Sequence, residues 1–334
     1  MALSANDMRW SGRPGHYEVY YLTLTDPATG VGIWIRYTML APLGSQEPTC
    51  ALWFAAMDPR PGARPVLARK QTFPIAELQA GRSPFELSVA GATLSDGKMA
   101  GGLDDVRWDL RWQAAPRPYE PINPALGRLG LAKTVFVVPH ADVVIEGHIT
   151  LDGQRLELTG VRGGQSHLWG SEHAESWAWA HCNDLRSSAG SPAAGAFFDG
   201  VSALVHRFGR TLGPNTPIVG CFDGRPFEST SPRRLLANSS RFDLDGWRFE
   251  AIDGSRKLVG HIQPVREQLV GVTYQDPDGR EAYCYNSETA SARLEVQERV
   301  GRAWRAVEAL TSAGRCHFEF GTRTPISDID LSVT

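Results

Sequence analysis

Apolar and polar residues alternate along most of the chain, in short runs that end at turn-forming residues. The runs Tyr17–Leu24 and Val31–Leu40 are rich in β-branched and aromatic residues, and the Asp-Pro and Gly of Thr25–Gly30 between them predict a hairpin. Similar runs follow at Ala51–Met57, Val106–Gln113, Arg155–Arg162, Trp247–Ile252 and Glu281–Tyr285. Helical periodicity is brief, and it predicts short helices only at Phe73–Ala80 and Pro232–Ala237.

Many short strands at regular spacing favour antiparallel barrels or sandwiches over a parallel α/β fold. The 334 residues exceed the length that a single core usually covers, so we expect two domains. Ser187–Pro192 (SSAGSP) has the composition of a linker. The prediction is an all-β protein with few short helices, whose two antiparallel β-barrel or sandwich domains span 1–190 and 191–334.

The segment 165–185 concentrates the residues that could carry chemistry. Residues two apart on a strand share a face. One face of the strand near 180 carries two large aromatic rings and then two hydrogen-bonding groups, namely Trp177, Trp179, His181 and Asn183. The other face carries only small side chains, namely Ser176, Ala178, Ala180 and Cys182. A half-polar, aromatic-lined cavity accounts for such a strand; the alternative is that each polar group is a hydrogen-bonded residue of an ordinary core.

Composition narrows the choice of partners. The net charge is −3 and no run of Lys and Arg occurs, so nothing favours nucleic acid as a partner. No apolar run approaches the ~20 residues of a membrane span, and the start of the chain lacks the apolar core of a signal peptide. We therefore predict a cytoplasmic protein without an integral membrane segment. No His, Cys or carboxylate spacing fits a metal site, so neither a metal nor another cofactor is predicted, and the oligomeric state stays open.

Five short motifs occur in the order found in one known superfamily. They are Glu18–Tyr21 (EVYY), His167–Gly170 (HLWG), Trp177–Trp179 (WAW), Asp276–Gly279 (DPDG) and Tyr283–Ser287 (YCYNS). With them the chain resembles the two-lipocalin-domain proteins, which include carotenoid 1,2-hydratases, tocopherol cyclases and AttH-like proteins. The resemblance implies two lipocalin-like β domains and a hydrophobic small-molecule ligand.

The resemblance also implies a cofactor-independent hydratase, cyclase or isomerase acting on an isoprenoid or polyene-like molecule. Such an enzyme needs an apolar cup, a proton donor in a low-dielectric place, and aromatic faces that stabilise a developing carbocation. The candidate catalytic residues are His167, His181 and Glu172. The candidate ligand-binding residues are Trp169, Trp177, Trp179, Asn183, Tyr21, Trp34 and Tyr37.

Two other functions fit the same residues. A non-catalytic carrier or sensor would use an apolar cavity with one or two polar anchors. An assembly protein would have filled barrels and bind nothing small. The sequence also leaves open whether a cavity would lie inside the first barrel or between the two.

Overall fold

The computed structural model describes residues 4–82, 84–207 and 209–333 of the chain. Within them, 24 strands form one sheet of 11 strands and one of 13, and nearly all strand pairs are antiparallel. The all-β fold class is therefore confirmed. The first sheet consists of β1 (His16–Thr25), β2 (Gly32–Ala41), β3 (Thr49–Met57), β4 (Val66–Pro74), β5 (Leu78–Arg82), β6 (Phe85–Val89), β7 (Ala92–Ser95), β8 (Lys98–Leu103), β9 (Val106–Trp112), β10 (Thr134–Leu151) and β11 (Gln154–Gly170).

The remaining strands make up the second sheet, and the helical segments are short. The second sheet consists of β12 (Ser176–Cys182), β13 (Arg186–Ser187), β14 (Phe197–Arg207), β15 (Arg210–Asn215), β16 (Ile218–Phe222), β17 (Arg225–Ser229), β18 (Ser239–Asp243), β19 (Gly246–Asp253), β20 (Arg256–Gln263), β21 (Val270–Gln275), β22 (Glu281–Val300), β23 (Ala303–Thr322) and β24 (Leu331–Val333). The helices are α1 (Pro124–Arg128) and α2 (Pro232–Leu235), with 3₁₀ turns at Ile75–Glu77 and Arg266–Gln268.

The first sheet curls around its own apolar core. Its order is β4-β3-β2-β1-β11-β10-β9-β8-β7-β6-β5, so β1 and β6 are far apart along the sheet. Nevertheless the ring of Tyr20 on β1 stacks on Phe85 of β6, with centroids 5.4 Å apart. Phe54 on β3 likewise meets Trp108 on β9 at 6.2 Å. Strands from the two halves of the sheet therefore share one interior.

The second sheet encloses a separate core. β12 lies between β14 and β23, and Phe198 on β14 stacks on Phe249 of β19 with centroids 5.4 Å apart. Ala178 and Ala180 of β12 are fully buried in this core. Small side chains on that face of β12 allow the large rings of the opposite strands to fill the interior.

A third apolar cluster lies between the two sheets. It combines Tyr17, Val19 and Tyr21 of β1 with Trp177 and Trp179 of β12, all of them buried. Alternate residues of β1 thus face either the first core or the second sheet. Alternate residues of β12 likewise face either the second core or the first sheet. The predicted separation of β12 into a large and a small row is observed.

The chain passes from the first sheet to the second after Gly170, the last residue of β11. β12 follows this point and is hydrogen-bonded on both edges into the second sheet, between β14 and β23. The helix predicted at Phe73–Ala80 is wrong. Pro74 ends β4, only Ile75–Glu77 turns helically, and the following residues pair with β6 as β5. No helix among the described residues is long and apolar enough to cross a membrane.

Candidate functional site

A cavity of about 120 Å³ lies between the two sheets. We call it the inter-sheet cavity. Aromatic side chains of both sheets line it, namely Tyr17, Tyr21, Trp34, Phe136, Trp177, Trp179 and Tyr274. Strands β1 and β2 supply one wall, and β12, β21 and the connection between β11 and β12 supply the other. A concave, mostly aromatic space with a few polar groups is the usual form of a small-molecule site.

His173, on the connection between the sheets, stands among these aromatic rings. Its imidazole stacks on Tyr17 with centroids 4.7 Å apart and planes inclined by 4°. Trp177 and Tyr274 lie at 5.6 Å and 5.3 Å from the same ring. The imidazole plane is therefore fixed by packing, and the ring borders the inter-sheet cavity.

One nitrogen of His173 is held by a buried carboxylate. Nδ1 lies 2.6 Å from Oδ1 of Asp276, and the backbone N–H of His173 donates to the same oxygen at 2.9 Å. Arg323 donates to Oδ2 of Asp276 at 2.7 Å. Burial raises the pKa of Asp276, but the hydrogen bonds of His173 and Arg323 outweigh it and bring the pKa below its ordinary value. An ionised Asp276 favours the imidazole tautomer with the proton on Nδ1, so Nε2 is the nitrogen that can accept a proton.

The phenols of the site stay neutral, since burial raises the pKa of Tyr17, Tyr21 and Tyr274. Tyr17 donates to Oγ1 of Thr134 at 2.6 Å, and Thr134 donates onward to a backbone carbonyl. The hydroxyl of Tyr274, by contrast, is buried without a hydrogen-bond partner among the described residues. Leaving a buried hydroxyl unpaired costs about 1–3 kcal/mol, which a polar ligand atom would offset.

Two charged side chains line the same cavity. Arg36 on β2 is 4% exposed, and its guanidinium lies over the rings of Tyr274 and Trp34. Glu319 on β23 accepts a hydrogen bond from the indole N–H of Trp177 at 2.7 Å. The cavity therefore combines aromatic walls with a cation, a carboxylate and an oriented imidazole.

Four of the predicted ligand-binding residues meet in the inter-sheet cavity, namely Tyr21, Trp34, Trp177 and Trp179. Tyr37 does not. It points into the first core, where it is fully buried and donates its hydroxyl to the Thr93 carbonyl at 3.1 Å. Trp34 and Tyr37 are three residues apart on one strand, so the pleat turns them to opposite faces.

The polar half of the β12 row is packed between the sheets, away from the cavity lining. Nδ1 of His181 lies 3.1 Å from Asp199, which also accepts from the indole of Trp179 at 3.2 Å. Burial raises the pKa of Asp199. Asn183 donates to the Gly163 carbonyl at 2.8 Å and so joins the second sheet to the first. The two sheets approach each other closely here because Gly164 has no side chain. A Cβ at this position would lie 2.7 Å from Nε2 of His181.

His167 lies on β11 and faces the interior of the first sheet. Its Nε2 is 2.9 Å from the Glu18 carboxylate, and its ring stacks on Tyr20 at 4.0 Å. Trp169 lies beside Arg9 and borders a larger cavity of about 790 Å³ under the N-terminal segment. The carboxylate of Glu172 pairs with Arg280 at 3.1 Å near the surface. The structure thus separates all three from the inter-sheet cavity.

Sequence reasoning missed His173, Asp276 and Arg36 as site residues. Arg36 was detectable, because it interrupts the apolar run of β2 (GIWIRYTML) with a charge. Asp276 stands in the predicted turn after β21, where an acidic residue is ordinary. His173 follows β11 in a polar connection, and nothing local distinguishes it from a solvated histidine.

No protein-family model matches the chain. An uncharacterized protein of Mycobacterium tuberculosis, found in strains H37Rv and CDC 1551, is 27% identical over 318 residues, which make up 94% of this chain and 89% of the relative.

Solved structures resemble this one over most of its length. An AttH-type protein from Nitrosomonas europaea superposes with a TM-score of 0.57 at 12% identity, covering 91% of this chain and 92% of the other. CghA, solved with Sch210972, gives 0.55 at 9% identity, covering 92% and 88%. Kievitone hydratase from Nectria haematococca gives 0.53 at 9% identity, covering 96% and 92%. The chain therefore has the fold of the two-lipocalin-domain proteins, the superfamily that its sequence motifs resemble.

Proposed function

We propose that the protein is an enzyme of the hydratase, cyclase or isomerase type that acts on a hydrophobic small molecule in the inter-sheet cavity. The observation that carries the proposal is the pair of His173 and Asp276, in which a buried carboxylate fixes an imidazole at the edge of an aromatic cavity. A carrier needs apolar walls and an anchor, but it has no need of an oriented acid–base group.

His173 acts through Nε2. The neutral imidazole accepts a proton there from the substrate or from a water molecule, and the resulting imidazolium is stabilised by the Asp276 carboxylate. The same nitrogen then returns the proton to another atom of the substrate. Hydration, dehydration and the shift of a double bond need such a transfer, and so does ring closure by addition of a hydroxyl or enol group to a double bond. Such a transfer typically contributes about 10²–10⁴-fold to a rate.

The aromatic walls hold the substrate in one conformation. Trp179 meets Tyr21 edge to face with centroids 5.4 Å apart, and Trp177 is fixed by its hydrogen bond to Glu319. Rigid rings on both sides exclude water and bring the reacting atoms together before the reaction begins. The similar fold of a protein named kievitone hydratase supports this class of reaction by analogy alone.

The test is incubation of the purified protein with a hydrophobic extract of cells, followed by untargeted mass spectrometry. Wild type should consume a compound and form a product that differs by one water or has the same mass. His173→Phe keeps a flat ring between Tyr17 and Trp177 and should lose at least about 100-fold of the rate. The matched control is His148→Phe on β10, which should react as wild type does.

Two results would overturn the proposal. Equal turnover by wild type and His173→Phe would remove the imidazole from the reaction. A compound that co-purifies with the protein but is never consumed would instead indicate the carrier or sensor. Circular dichroism and thermal unfolding of each variant separate these results from a loss of folding.

A further inference from the structure

Arg36 is a buried cation without an anionic partner. The side chain is 4% exposed, its Nε has no hydrogen-bond partner, and no carboxylate among residues 4–82, 84–207 and 209–333 forms an ion pair with it. Burying an unpaired charge is costly, so buried arginines are normally paired with carboxylates. Arg36, which lacks such a partner, lies in the wall of the inter-sheet cavity.

Aromatic rings hold the guanidinium but do not neutralise it. Its Cζ lies 4.1 Å from the centroid of Tyr274, 5.4 Å from Trp34 and 5.8 Å from Trp53. These contacts fix its position and leave its N–H groups free to bind oxygen atoms.

A second cation stands nearby. Nζ of Lys70 lies 4.2 Å from the ring centroid of Trp53, which Arg36 also contacts. Arg36 and Lys70 both line a second cavity of about 270 Å³, and Arg36 borders the inter-sheet cavity as well. Burial and the charge of Arg36 lower the pKa of Lys70, so the two cations act on each other. The other charged group of the inter-sheet cavity, Glu319, is engaged by Trp177.

We infer that Arg36 forms a subsite for the anionic head group of the ligand, with Lys70 at its outer edge. The ligand class is an apolar molecule that carries one oxyanion, either a carboxylate or an enolate. The planar guanidinium matches both, since it can donate two parallel N–H bonds to such a group. This inference rests on the proposed function for the location of the ligand, and it adds the chemical class.

The subsite also determines which sign of charge on the reacting molecule is stabilised. A fixed cation beside the reacting molecule opposes the carbocation that the family resemblance implies. It favours negative charge that develops on a carbonyl oxygen, as in proton abstraction next to a carbonyl group or addition of water to a conjugated carbonyl. His173 and Arg36 border the same cavity, so one can move the proton while the other stabilises the oxyanion.

Binding of matched amphiphiles tests the inference, with the intrinsic fluorescence of Trp34, Trp53, Trp177 and Trp179 as the signal. The probes are octanoate, 1-octanol and an alkyl 1,3-diketone of the same length, which ionises to an enolate. Wild type should bind octanoate or the ionised diketone at least about 10-fold more tightly than octanol. Whichever anion binds more tightly identifies the form of the head group.

Arg36→Met should abolish the preference for the anions over octanol. Because the substitution removes an unpaired buried charge, its thermal midpoint should equal or exceed that of wild type, which separates lost binding from lost folding. The control is Arg299→Met, which removes an exposed arginine 5.9 Å from the ring of Trp304 in the second sheet.

Three results would overturn the inference: no preference for the anions in wild type, a preference that survives Arg36→Met, or no binding of either anion. Its failure is distinguishable from that of the proposed function. A carrier would show the same preference without turnover, whereas an enzyme for neutral substrates would show turnover that depends on His173 and not on Arg36.

Discussion

Nδ1 of His173 lies 2.6 Å from Oδ1 of Asp276, although 103 residues separate them in the chain. His173 belongs to the connection between the sheets, and Asp276 follows β21 of the second sheet. The first sheet completes the arrangement, because Tyr17 of β1 stacks on the imidazole. The orientation of the imidazole therefore depends on the packing of both sheets.

The first prediction concerns Asp276→Asn. An amide of the same shape cannot stabilise the imidazolium and does not fix the proton on Nδ1. In the reaction found with cell extracts, kcat should fall about 10²–10⁴-fold while KM changes far less. Steady-state kinetics with the identified compound measure both constants.

The control for this variant lies two residues away. Asp278 is in the same turn, where it pairs with Arg280 at 2.7 Å and is partly exposed. Asp278→Asn should leave kcat within about twofold of wild type, since surface ion pairs contribute little. Wild-type kcat in Asp276→Asn would show that the carboxylate has no part in the reaction.

The sequence predicted those features that depend on local periodicity. The alternation along Ser176–Cys182 placed Trp177 and Trp179 on one face and the alanines on the other, as observed. The pleat of a strand fixes such faces wherever the strand lies. The hairpin of β1 and β2 followed from its turn residues for the same reason.

The meeting of residues across the two sheets could not be predicted in this way. Nothing in the pattern of β12 shows that Trp179 would border a cavity while His181 would be enclosed. That difference arises because Gly164 of β11 lets the first sheet approach His181. The pairing of His173 with Asp276 is equally non-local, since it joins a connection to a turn far along the chain.

The second prediction tests this close approach with a double-mutant cycle. In Gly164→Ala the new Cβ would lie 2.7 Å from Nε2 and 2.9 Å from Cε1 of His181, so the sheets must separate or the ring must shift. We expect the free energy of unfolding to fall by about 1–3 kcal/mol. In a His181→Ala background the same substitution should cost markedly less, because the clashing ring is absent. Urea unfolding of the four proteins gives the coupling energy.

A glycine with room for a methyl group is the control. Gly81→Ala on β5 adds a Cβ that meets no atom closer than 3.5 Å, and it should change stability by less than about 1 kcal/mol. Additive effects of Gly164→Ala and His181→Ala would contradict the argument, since they would mean that the ring and the new methyl group do not meet.

The third prediction is a pH dependence that originates at Glu18. The carboxylate is fully buried and accepts from the Tyr20 hydroxyl and the Arg9 N–H, both at 2.8 Å. Burial raises the pKa of Glu18, but the imidazoles of His16 and His167 outweigh burial and lower the pKa to about 2, from an ordinary 4.5. The folded protein therefore holds this proton more weakly than the unfolded chain. The stabilisation is complete above pH 4.5 and is lost as the pH falls toward 2.

Glu18→Gln mimics the protonated form. At pH 7 the variant should be less stable than wild type by on the order of 3 kcal/mol, and the two stabilities should converge as the pH falls from 5 toward 2. Urea unfolding across this range measures the difference in the free energy of unfolding between wild type and Glu18→Gln. Glu86→Gln, at an exposed position of β6, should show the same pH dependence of stability as wild type. A gap between wild type and Glu18→Gln that stays constant with pH would mean that the cost comes from altered packing rather than from the charge. The convergence isolates the electrostatic part, because a Gln and a protonated Glu of the same shape present nearly the same side chain to His167 and Tyr20.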